Sequence, residues 1–75
     1  MPTRILAEMN TVMMQRGERI KRARRGKGWT QAKLADKVSM TQAQVSRLEA
    51  GRYDPNGGEI RRLSAHLGLA KADLV

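Results

Sequence analysis

In "TQAKLADKVSM", Leu34, Ala35 and Val38 stand at i, i+1 and i+4. In "TQAQVSRLEAG", Val45 and Leu48 stand at i and i+3. Each set makes one apolar stripe on an otherwise polar helix. Thr30 precedes the first helix and Thr41 the second, and the hydroxyl of each suits an N-cap. Gly51 follows the second helix as a residue tolerant of positive φ. Upstream, Ile20 and Ala23 mark a thin stripe on a helix from about Gly17 to Lys27, punctuated by Gly26 and Gly28. Downstream, "RYDPNGG" reads as a loop. Asn56 suits the cap of a helix carrying Ile60, Leu63 and Leu67, which Gly68 stops. Gly57 and Gly58 weaken its start, because glycine costs about 1 kcal/mol against alanine inside a helix. A last turn or short helix covers 69–75.

No alternating strand pattern competes, and no repeat or low-complexity tract interrupts the chain. The expectation is an all-α, compact bundle of about five short helices with local connections. Residues 1–15 carry Ile5, Met9, Val12 and Met13 at loosely helical spacing, and read as a flexible or weakly helical arm before a domain at 16–75.

Seventy-five residues allow a single domain, and one this small buries only about 60% of the surface that its unfolded chain exposes. There is no cysteine and a single histidine, so the sequence predicts neither a disulfide framework nor a metal site, and no cofactor. No apolar run approaches membrane-spanning length, and the N-terminus lacks the order of a signal peptide, which points to the cytoplasm, near the nucleoid. Charge changes the picture more. The net charge is +8, and the stretch from Arg16 to Gly28 holds seven basic residues (Arg16, Arg19, Lys21, Arg22, Arg24, Arg25, Lys27) against Glu18 alone. Such a field favours a polyanion, either nucleic acid or an anionic membrane surface.

The two central helices lie close enough in sequence to form a helix-turn-helix. Small Ala35 suits a close approach at the corner, and Leu34, Val38, Met40, Val45 and Leu48 converge beneath it. The outer face of the second helix then carries Gln42, Gln44, Ser46 and Arg47. Glutamine can pair bidentately with adenine, and arginine with guanine, in the major groove.

Thr30–Gly51 resembles the helix-turn-helix of the Cro and repressor proteins of lambdoid phages, the XRE-like family that also includes bacterial regulators and antitoxins. The likeness extends from "GERIKRARRGKGWTQ" to "DPNGGEIRRLSAHLG", about three-quarters of the chain. It implies a lambda-repressor-like fold and sequence-specific binding of double-stranded DNA, as a transcription regulator of repressor type. It implies base-reading positions at Thr41, Gln42, Ala43, Ser46 and Arg47, to which the polar outer face adds Gln44. Phosphate contacts are implied at Gln31, Lys33 and Arg52, with the caps Thr30 and Asn56 as further phosphate candidates, and a structural ion pair is implied between Arg24 and Glu49. Two departures stand out: Ser39 occupies a turn position where the family usually has glycine, and Ala43 replaces a polar reader with a methyl group.

Other residues read as structural. Trp29 reads as a core plug between the first two helices and His66 as a surface residue. Ser46 has no companions that would make it a nucleophile, so no enzyme is expected. The expected assembly is a homodimer through the C-terminal region, where Leu69, Leu74 and Val75 lack visible cover, on a near-palindromic operator. The alternative is an antitoxin or adaptor whose main role is to bind a partner protein, such as a toxin, with the arm as its candidate segment.

Overall fold

The computed structural model describes residues 2–74, with side chains from 11 onward. Helix α1 spans Pro2–Gly26, α2 Gln31–Lys37, α3 Gln42–Glu49 and α4 Gly57–Leu67, and a 3-10 turn follows at Lys71–Asp73. No strand occurs among the described residues, so the chain is all-helical, with four α-helices where about five were expected. The last short helix is only that 3-10 turn.

The first helix begins at Pro2, not near Gly17. Nothing between Arg4 and Gln15 breaks a helix: the stretch has no glycine or proline. Pro2 fits the first turn, where its missing N–H is no loss. Gly17 therefore lies inside α1 and serves packing. A Cβ there would stand 2.5 Å from the carbonyl oxygen of Glu49 and 2.7 Å from that of Leu48. Only glycine lets α1 approach the end of α3 so closely.

Each α-helix ends on a residue with positive φ: Gly28 (71°), Ser39 (56°), Gly51 (76°) and Gly68 (69°). The bonds beyond α3 show why. Arg52 N donates to Arg47 O at 2.8 Å and Gly51 N to Leu48 O at 3.2 Å, a Schellman closure that satisfies carbonyls the helix leaves free. Starts are equally well defined. The side chains of Thr30, Thr41 and Asn56 accept from the backbone N–H of Lys33, Gln44 and Glu59. For α3 and α4 the third residue returns the bond, Gln44 Oε1 to Thr41 N and Glu59 Oε1 to Asn56 N, completing capping boxes. Such caps matter here, because helices this short are marginal on propensity alone.

The core gathers Ile20 of α1, Leu34, Ala35, Val38 and Met40 of α2 and the turn, Val45 and Leu48 of α3, Leu63 and Leu67 of α4, and Leu74. Trp29, Tyr53, Ile60 and Leu69 pack at its margin. Burying each leucine contributes on the order of 1.5–3 kcal/mol. Leu74 is wholly buried and Leu69 half-buried, so the apolar end that suggested a C-terminal dimer interface is occupied within one chain. Val75 lies outside the described residues.

Candidate nucleic-acid interface

Helix α3 divides into two faces. Val45, Leu48 and Glu49 are buried beneath it, while Thr41, Gln42, Ala43, Ser46 and Arg47 are exposed together. Arg47 lies along its own helix, with Nε donating to Ala43 O at 3.3 Å. Gln44 differs from its neighbours. It is half-buried, and its Oε1 accepts the Thr41 N–H at 2.8 Å, so the oxygen that would pair with adenine closes the cap of α3 instead.

A buried network fixes α3 against α1. Arg24 donates through Nε to Glu49 Oε2 at 2.6 Å and through a second nitrogen to Glu49 Oε1 at 3.0 Å. Its remaining nitrogen donates to Trp29 O at 2.7 Å. Such bidentate, charge-assisted contacts are the strong kind, and they hold orientation as well as energy. The hydrogen bond to Glu49 pushes the Arg24 pKa up, against burial, which would lower it. Gln31, the first residue of α2, joins through Nε2 to Glu49 Oε1 at 3.1 Å. It leaves its carbonyl oxygen without a bond in that network. The opening of α2 and the end of α1 are thus tied to one carboxylate of α3.

The residues named for phosphate lie at the helix openings and just past α3. Thr30 and Lys33 are exposed at the opening of α2, Arg52 is exposed just past α3, and Asn56 is exposed at the opening of α4. Thr30 and Asn56 spend a side-chain oxygen on caps. The loop of Arg52 to Asn56 is held from behind. Tyr53 donates to both carboxylate oxygens of Glu59, at 3.0 and 2.9 Å, which raises the phenol pKa above its ordinary value. Arg16, itself buried, bonds Asp54 at 3.1 Å and Leu74 O at 3.3 Å.

Arg16 and the Glu59 cluster are structural contributors that the charge pattern did not reveal. For Asn56 and Glu59 the signal was present, as a capping residue followed three positions later by glutamate. For Arg16 there was none. The basic stretch is consequently not one surface: Arg16 and Arg24 are buried with acidic partners, and Arg19 donates to Asp73 O at 3.2 Å. At its end, Lys27 and Lys37 place their ammonium groups 5.4 and 4.8 Å from the centroid of the Trp29 ring. Among the described residues no group of His, Cys, Asp and Glu could hold a metal, and no helix is long and apolar enough to cross a membrane.

Two short capped helices about a tight left-handed turn, the second with a buried and a polar face, define a helix-turn-helix domain. The family description Helix-turn-helix matches residues 20–74, and the chain belongs to that family, in its XRE type. It is similar to the SPbeta prophage-derived uncharacterized HTH-type transcriptional regulator YonR of Bacillus subtilis (strain 168). The two are 33% identical over 54 residues, covering 72% of this chain and 50% of that regulator. The chain thus spans about half the length of this relative. The fold is similar to the crystal structure of the restriction-modification controller protein C.AhdI from Aeromonas hydrophila. The TM-score is 0.76 at 24% identity, covering 84% of this chain and 96% of that one.

Proposed function

We propose that this protein is a sequence-specific regulator of transcription, of repressor type, which lays α3 in the major groove of duplex DNA as a homodimer on a near-palindromic operator. One observation carries the reading: the exposed side of α3 collects Gln42, Ser46 and Arg47 on a helix whose other side is locked into the core. A rigid helix presenting amide, hydroxyl and guanidinium groups suits the donor and acceptor code of base edges. Backbone contacts at Thr30, Gln31, Lys33, Arg52 and Asn56 would fix its register without reading sequence. A two-fold dimer would set the reading helices about 34 Å apart, and the operator would mirror that spacing. Ala43 would offer a thymine methyl an apolar contact but no hydrogen bond.

Arg47 and Lys33 test the division of labour. Arg47→Ala should cost about 1–3 kcal/mol on the selected operator and relax preference at one base pair. Lys33→Ala should weaken operator and random duplex alike and lower the salt slope by about one unit. Binding isotherms on both duplexes at several salt concentrations separate these effects. Equal, sequence-independent losses from both variants would remove α3 as the reader. A wild-type chain that bound no duplex would return the weight to the partner-protein alternative.

A further inference from the structure

We propose that Lys27 and Lys37, gathered on the indole of Trp29, form a second contact for the phosphate backbone of duplex DNA, beside the opening of α2 and apart from the α3 face. The inference rests on the DNA-binding reading above and extends it to two residues, one before α2 and one at its end, that the proposed base and backbone contacts leave out.

Three observations lead to it. The first is convergence. The ammonium groups lie 5.4 and 4.8 Å from one ring centroid. Those distances keep the two nitrogens within about 10 Å of each other, one Debye length at 0.1 M salt, where like charges still repel. The second is the lack of a counter-charge. Among the described residues neither lysine has an ion pair, whereas Arg16 and Arg24 of the same basic stretch are paired with Asp54 and Glu49. The third is position. Trp29 immediately precedes the cap Thr30 and Gln31, which opens α2, and both lysines are exposed.

The chemistry follows from these facts. An indole face attracts ammonium groups through its quadrupole but neutralises no charge. Each ammonium keeps donors directed away from the ring. An anion reaching the pair relieves their repulsion, and the ring has already restricted both flexible side chains, which lessens the ordering cost of binding. Phosphates on a DNA strand recur every 3.4 Å or so along the axis, so one strand crossing the opening of α2 can serve both lysines. A strand there would be read for charge alone.

The test uses the full chain and a random-sequence duplex. Lys27→Gln with Lys37→Gln removes the pair. Arg61→Gln with Lys71→Gln removes the same charge from exposed positions elsewhere. The first double variant should melt like the wild type and lose nearly two units of salt slope, at about 0.9 per phosphate, while the second loses clearly less. Trp29, the only tryptophan, should change its emission on adding the duplex to wild type and stay unchanged in the first variant. A wild-type slope in the first variant, or equal flattening by both, overturns the proposal and leaves general charge as the explanation. A wild-type chain that binds no duplex overturns the DNA-binding reading itself.

Discussion

Ser39 is the residue where local chemistry and fold disagree most. It turns the chain from α2 to α3 at φ 56°, a left-handed backbone that the other helix ends give to glycine. For an L-residue with a Cβ that region costs about 1–2 kcal/mol. The side chain is exposed, and among the described residues no bond from its hydroxyl offsets the cost. Ser39→Gly should therefore raise stability, by about 1 kcal/mol after subtracting the extra freedom that glycine gives the unfolded chain. Thermal melts of the two proteins check it. An unchanged or lower midpoint would mean that the unfolded-state entropy of glycine outweighs the strain.

At the scale of elements, α3 owes its place to α1. Gly17 lets the two backbones meet, and the Arg24–Glu49 pair fixes their rotation. Gly17→Ala sets two effects against each other. Alanine favours a helix by about 1 kcal/mol, but its Cβ would press on the backbone carbonyls of Leu48 and Glu49, which cannot swing aside as a side chain could. Overpacking of this kind costs about 1–3 kcal/mol. The net result should be a loss of stability, seen as a lower denaturant midpoint at unchanged slope. A gain would show that α1 sits further from α3.

Periodicity and capping chemistry made most of this architecture legible. Leu34, Val38, Val45, Leu48, Leu63 and Leu67 are buried as their spacing implies, and Thr30, Thr41 and Asn56 cap as their residue types suggest. Glycine was a poor guide at Gly17, because a helix breaker by propensity is also what a close crossing requires. The basic stretch misled as a single field, since Arg16 meets partners 38 and 58 residues away, a distance over which no local pattern speaks. Gln44 could be placed on a helix but not assigned a task, because capping and base reading ask for the same side chain at the same start of a helix. Periodicity places residues on faces; it does not say whether a charged one is solvated, buried or bound.

For the whole molecule, the last residues decide whether the domain closes on itself. An apolar C-terminus on a small chain suggested an interface with a second copy. The structure uses it internally. Leu74 is wholly buried, the 3-10 turn before it brings it back onto the core, and its carbonyl accepts from buried Arg16. Leu74→Ala should accordingly destabilise the single chain by about 2–5 kcal/mol, the range for truncating a buried leucine. Removing residues 69–75 should cost more, because Arg16 loses a bond while its Nε already has no partner among the described residues. Denaturant melts at two protein concentrations distinguish a core from an interface. A core residue lowers the midpoint equally at both, whereas an interface residue makes it depend on concentration, since association stabilises by mass action. If Leu74→Ala instead left the melt of the dilute protein unchanged and only weakened self-association, Leu74 would belong to the dimer contact and its burial within one chain would be wrong.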